Sequence, residues 1–270
     1  MNSIIVCSLN DPAGTNIRER LIETYDFRET EGVYDGYPVY SKDQTRIVCS
    51  HKDIVFEDDV ESNFGHSNYY FISRHRAESG QPSLTCHITG NFGPNTFGGI
   101  PGEISAYSPS LLKNYFIELN QMRDRIPEKY ELTLEATHHG PTSLKAPMQF
   151  IELGSTPEQW VDVEAAEFVA EALFKSLANQ ARYKKCAIGI GGTHYPEKFG
   201  KFILSEADMA LGPIIPKYSL EYFSEKILAE MMIKSTEQVR FALVDRKGLG
   251  QHREKVMNIL KTSSLELVFV

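Results

Sequence analysis

The chain has no run of about 18 apolar residues, so no membrane-spanning helix is expected. Its opening, Met1-Asn2-Ser3-Ile4-Ile5-Val6-Cys7, lacks the basic flank and the apolar length of a secretory signal and is expected to be a buried strand. The four cysteines, Cys7, Cys49, Cys86 and Cys186, are widely spaced and mostly sit in apolar runs, which reads as reduced core thiols of a cytosolic protein. Basic residues are outnumbered, 28 against 36, for a net charge of −8, which argues against nucleic-acid binding through bulk charge. There is no Gly-x-Ser-x-Gly elbow, no phosphate-binding P-loop and no dinucleotide fingerprint. Gly189-Ile190-Gly191-Gly192 is glycine-rich without the spacing or acidic partner of such a site. Internal repeats and low-complexity tracts are absent as well.

What is present fits a folded chain: 41% hydrophobic and 24% charged residues over 270 positions leave room for a large core. Two local basic faces remain, Arg182-Tyr183-Lys184-Lys185 and Arg246-Lys247 with His252, Arg253, Lys255 and Lys261, each equally readable as a solvated face. Strands are expected at Ile4–Leu9, Arg46–Ser50, Tyr69–Ser73, Leu84–Ile88, Leu132–Ala136, Cys186–Ile190, Val239–Val244 and through Leu265, Leu267 and Phe269. Helices are expected at Ile17–Tyr25, from Ser108-Pro109 to about Arg125, after the Thr156–Gln159 capping box, at Leu220–Ile233 and at Gln251–Lys261. Interleaving of this kind predicts an α/β fold: a mixed, mainly parallel sheet covered by helices on both faces. One domain over 1–270 is expected, with residues 26–130 as an elaborated part. That part holds Ser79–Gly102, which has no charged residue and six of the 19 glycines, and is expected to be an ordered loop region against a ligand or a domain face.

In open α/β sheets ligands collect beyond the carboxyl ends of strands. Five of the eight histidines fall at or near such ends: His75, His87, His138, His139 and His194. Neutral imidazole is the usual zinc ligand, and a catalytic zinc takes three protein ligands and leaves a place for water. The candidate ligands are His75, Glu78, His87, His138, His139 and His194, with Glu135 as ligand or base. His138 and His139 are adjacent and would point oppositely in a strand, so both reach one site only from a turn, which Gly140-Pro141 supplies. His51, His66 and His252 read as structural or surface histidines. Cys86 and Cys186 read as buried strand residues and not nucleophiles.

Several segments together resemble the archaeal-and-plant type D-aminoacyl-tRNA deacylase family. They are Ser73-Arg74-His75-Arg76-Ala77-Glu78-Ser79-Gly80, Gly90-Asn91-Phe92-Gly93, Glu135–Thr142 (EATHHGPT), Gly189–Pro196 (GIGGTHYP), Lys217-Tyr218, Val244-Asp245 and Lys247-Gly248-Leu249. The resemblance spans nearly the whole chain in order. It implies a cytoplasmic enzyme that splits the ester between a D-amino acid and the 3′ end of tRNA, with broad side-chain tolerance, dependence on zinc (Zn2+, one or two ions per chain) and no protein partner. It also implies a three-layer α/β/α fold similar to peptidyl-tRNA hydrolase and nucleoside phosphorylases. The expected catalytic residues are His138, His139, His194 and Glu135. Expected substrate contacts are Arg74, Gly90, Asn91, Gly93, Gly191, Gly192, Thr193 and Lys247, with Arg182, Lys184, Lys185 and Arg246 as further phosphate contacts. Competing readings are a nucleoside phosphorylase-like or metal-dependent aminopeptidase-like enzyme, and a non-catalytic binder of the tRNA end.

Overall fold

A computed structural model describes residues 2–94, 97–179 and 181–270; Asn95 and Thr96, inside the glycine-rich region, lie outside the described residues. The first strand, β1 (Ser3–Ser8), is buried throughout and leads into α1 (Pro12–Tyr25). That helix starts before the expected Ile17 because the Asp11 carboxylate accepts the Gly14 N–H at 2.9 Å and Pro12 pre-sets the first turn. Next come β2 (Arg28–Tyr34) and β3 (Tyr37–Lys42), an antiparallel hairpin absent from the sequence expectation. Asp35 and Gly36 turn it with φ of 47° and 82°, the left-handed pair that a two-residue hairpin demands.

The chain continues through β4 (Thr45–Ser50), α2 (Val60–Phe64), β5 (Asn68–Arg76), β6 (Ser83–His87), α3 (Pro109–Gln121), β7 (Glu131–Leu134) and β8 (Met148–Ser155). The Thr156/Gln159 box opens only the short α4 (Pro157–Trp160); Asp162, accepting from the Ala165 N–H, caps the long α5 (Val163–Ala178). Then follow β9 (Lys185–Ile190), α6 (Glu197–Ser205), β10 (Met209–Ile215), α7 (Glu225–Ile233), β11 (Val239–Val244), α8 (Arg253–Thr262) and β12 (Glu266–Phe269). The helix expected from Leu220 begins five residues later, where the Ser224 hydroxyl accepts the Ile227 N–H.

The fold is mixed α/β and mainly parallel, as expected, but its strands divide between two sheets. The larger has the order β2-β3-β4-β1-β5-β8-β6-β7, and the smaller, wholly parallel, has β10-β9-β11-β12. Alternation in β1 sends Ile5 and Cys7 into the core under α1, α3 and α5, and Ile4 and Val6 into a second core with Phe71, Phe150, Ile54 and Val55. Chiefly α2 and loops cover that second face, not long helices. Backbone hydrogen bonds stitch the sheets together just beyond β7: Ala136 N–H donates to His194 O at 2.8 Å, and Thr137 N–H to Ile214 O at 2.9 Å. Among the described residues no helix is long and apolar enough to cross a membrane.

Candidate active site

Strand parity assembles the site. In β5, Phe71, Ser73 and His75 share a face, and the parallel register with β8 puts Phe150 and Glu152 on that same face. His87, at the end of β6, pairs with Phe150. Because Cys86 pairs with Leu134, the residue after β7, Glu135, falls beside His87. Four ionisable side chains thus meet on the face of the large sheet that lacks long helices.

His138 and His139 enter from the turn after β7. His139 has φ of 43°, a left-handed conformation costly for a non-glycine residue, and this is what swings two neighbouring imidazoles into one pocket. Their ring centroids are 4.4 Å apart; His138 also lies 4.3 Å from His87 and 4.7 Å from His194, which arrives on the loop after β9. The pocket has a volume of about 260 Å³; Phe97, Phe150, Asp11, Asp53 and Arg74 complete its walls.

Hydrogen bonds to backbone carbonyls fix three of the rings. A carbonyl only accepts, so Nδ1 carries the proton in His87 (to Ile88 O, 3.2 Å), His138 (to Ala136 O, 2.7 Å) and His139 (to Gly140 O, 2.6 Å). His138 and His139, neutral at pH 7, therefore keep the lone pair on Nε2; His87 Nε2 lies 3.7 Å from Glu152 Oε1, and burial is outweighed by that carboxylate, which raises the pKa of His87. Ligand atoms of the three residues lie within 4.8 Å of one another. His87 Nε2 is buried without a hydrogen-bond partner, an orphan that a cation would satisfy. Burial and the neighbouring imidazoles hold His138 well below the ordinary histidine value and bring His139 down to about 4, so both are neutral at pH 7. Two further groups meet the same distance criterion: Glu135, His138, His194 and His75, Glu135, Glu152. The trio His87, His138 and His139, with Nδ1 of each imidazole anchored on a backbone carbonyl, could hold a divalent metal ion.

The carboxylates organise the remainder. Glu135 Oε2 accepts from His194 Nε2 at 2.8 Å, which leaves His194 Nδ1 to accept from the Tyr218 hydroxyl at 2.9 Å. His75 Nδ1 lies 3.2 Å from Glu135 and 3.3 Å from Glu152, while its Nε2 meets the Tyr195 hydroxyl at 2.9 Å. Burial alone would depress His75, but the two carboxylates outweigh it and push it up to about 10. Burial would likewise raise both carboxyls, yet His194 and His75 hold Glu135, and His75 and His87 hold Glu152, well below the usual range. The signs for folding stability follow. Between about pH 6.5 and 10 the native His75 holds a proton that the unfolded chain has lost, so stability falls as pH rises. Between about 6.5 and 4 the unfolded chain protonates a histidine that native His139 keeps neutral, so stability falls as pH drops. Denaturant midpoints of the metal-free protein are expected to peak near pH 6.5, and a flat profile from 5 to 9 would contradict this charge arrangement.

All five expected histidines and Glu135 converge. Glu78 does not: it is exposed in the turn after β5, and Glu152 occupies the position beside His75. Sequence reasoning missed Glu152, a carboxylate in the otherwise mostly apolar run Met148–Leu153. Arg74 is on the pocket rim, 3.8 Å from Asp11 and 3.9 Å from Asp53. Gly90 supports the histidine turn from behind, its N–H donating to His139 O at 2.9 Å. Asn91 braces the nearby loop through Gly98 O, and Gly93 packs under the Tyr222 ring. Gly191, with φ of 95°, leads to Gly192 and Thr193, which line a second, adjoining pocket. Arg246 and exposed Lys247 follow the carboxyl end of β11, at the site's edge of the small sheet. Arg182, Lys184 and Lys185 lie at the opposite, amino end of β9, roughly 20 Å of strand away.

Fold and pocket together define a class: an α/β enzyme whose strand ends gather imidazoles and carboxylates, the donor set of hydrolytic chemistry. A family profile described as D-aminoacyl-tRNA deacylase matches residues 63–268. The D-aminoacyl-tRNA deacylase of Thermococcus kodakarensis is 35% identical over 273 residues, covering 98% of each chain; that of Pyrococcus abyssi is 34% identical with the same coverage. The Archaeoglobus fulgidus deacylase is 32% identical over 94% of this chain and 91% of its own. A crystal structure of a conserved protein of unknown function superposes with a TM-score of 0.91 at 31% identity, covering 99% of this chain and 95% of that one. The chain belongs to the D-aminoacyl-tRNA deacylase family.

Proposed function

We propose that this protein hydrolyses the ester between a D-amino acid and the 3′ end of tRNA, using the pocket built around Glu135, His138, His139 and His194. Membership of the deacylase family over nearly the full chain supports the reaction, and the convergence of free imidazole nitrogens on one pocket supports the site. The tRNA substrate also argues for a cytoplasmic enzyme.

His87, His138 and His139 are the residues that would hold a zinc ion through Nε2, and the ion would supply Lewis acidity toward the ester carbonyl and ease the ionisation of water. His194 is the general base. Its Nε2–H is pinned on Glu135, so Nδ1 offers the lone pair that takes the proton of the attacking water once the Tyr218 hydroxyl yields it. Glu135 balances the charge on the resulting imidazolium, which then returns the proton to the departing 3′-oxygen. Phe97 and the Gly98–Gly99 strap stand over His139 and bring backbone close to the reacting carbon. Selection there acts on the hand of the α-carbon and tolerates many side chains.

Purified protein is expected to release D-tyrosine from D-tyrosyl-tRNA and to spare L-tyrosyl-tRNA. Chelation is expected to abolish turnover and zinc to restore it, with metal analysis giving one or two ions per chain. Turnover unchanged after complete metal removal would leave the histidines as acid–base groups alone. No release of D-tyrosine in either state would end the proposal.

A further inference from the structure

His194 has a second side. Beyond it opens a pocket of about 640 Å³, lined by Thr193, Lys217, Tyr218, Glu221, Gln251 and His252. Its walls are the loops that follow β9, β10 and β11. In the order β10-β9-β11-β12 the chain leaves β9 toward one side and returns to β11 on the other. The crevice outside the carboxyl end of such a strand is where α/β sheets bind nucleotides. Gly191 and Gly192, with φ of 95° and 85°, and Gly250, with φ of 51°, keep those loops low and bring main chain close to the opening.

The chemistry of the lining suits a nucleotide. Tyr218 is 57% exposed, and in the free protein its hydroxyl donates to His194 Nδ1. That makes a flat, accessible stacking surface. Lys217 runs along Gly250 and, among the described residues, no ion pair holds it. Gln251 and Glu221 offer donors and acceptors to a base edge or to ribose hydroxyls. The first pocket, less than half the volume and crowded with charge, has no comparable platform.

We propose that this second pocket seats the terminal adenosine of the tRNA, with the base on Tyr218 and its 5′-phosphate at Lys217, so that the ester crosses to the first pocket at His194. The proposal rests on the deacylase reading. The probe is AMP, whose 5′-phosphate stands in for the last internucleotide phosphate, titrated into the full chain by calorimetry beside adenosine. AMP is expected to bind, Tyr218→Ala to weaken it by at least about tenfold, and Tyr218→Phe, which keeps the ring, to retain most of the affinity. Lys217→Ala is expected to weaken AMP and leave adenosine unchanged. AMP that fails to bind, or binds Tyr218→Ala and Lys217→Ala as well as the parent, overturns the proposal. Hydrolysis of D-tyrosyl-tRNA on the same preparation separates the failures. Turnover without a Tyr218-dependent AMP site removes the adenosine seat alone. AMP bound there without any turnover removes the deacylase reading and keeps a nucleotide site.

Discussion

Glu135→Gln is expected to turn over D-aminoacyl-tRNA about a thousandfold more slowly than the parent protein, in kcat more than in KM. The carboxylate is fully buried and serves three imidazoles: it accepts from His194 at 2.8 Å, lies 3.2 Å from His75 and 3.9 Å from His138. An amide has the same shape but one acceptor oxygen and no charge. It cannot pin His194 and counter His75 together, so the base loses its tautomer and its imidazolium loses its balancing charge. His75 also loses one of two counter-charges, so its titration by NMR is expected to move below about 10. A variant with parental kcat and an unmoved His75 would show that Glu135 is merely part of the packing.

The second large effect is expected from Gly140→Ala. A Cβ at this position would stand 2.3 Å from Gly99 N and 2.5 Å from Gly98 C, both backbone atoms that no rotamer change can clear. The Gly140 N–H also donates to Phe97 O at 3.1 Å, so the strap and the histidine turn are held face to face. Forcing them apart is expected to cost about 3 kcal/mol and to pull His139 out of the pocket, abolishing turnover. Urea denaturation reads the first effect and the D-tyrosyl-tRNA assay the second. Parental stability with parental activity would mean that the strap yields freely.

Much of the site was legible because strands end where their apolar runs end. His75, His87 and Glu135 could be placed by counting along β5, β6 and β7, and the Gly140-Pro141 turn explains how His138 and His139 face the same way. Glu152 escaped because β8 carries Gln149 and Glu152 inside an otherwise apolar run, and no short-range pattern separates a buried functional carboxylate from a break in a strand. Glu78 drew notice by sitting three residues after His75, but β5 stops at Arg76 and the chain turns outward. The β2–β3 hairpin was signalled by Asp35-Gly36, yet its strands are largely exposed and lack a continuous apolar face. Division into two sheets depends on which strands pair across the junction, a long-range choice that local periodicity does not encode.

The bonds from Ala136 to His194 and from Thr137 to Ile214 have a consequence for how the protein fails. Six of the site's donors, His75, His87, Glu135, His138, His139 and Glu152, stand on or just beyond the strands of one sheet and the proposed general base, His194, on the other, so the site straddles a joint. Should that joint loosen by an ångström or two, every helix and strand would persist and a circular dichroism spectrum would look native, yet His194 would have drifted out of reach of its carboxylate. Loss of turnover would therefore be the first sign of wear in this molecule, well ahead of any melting of its parts.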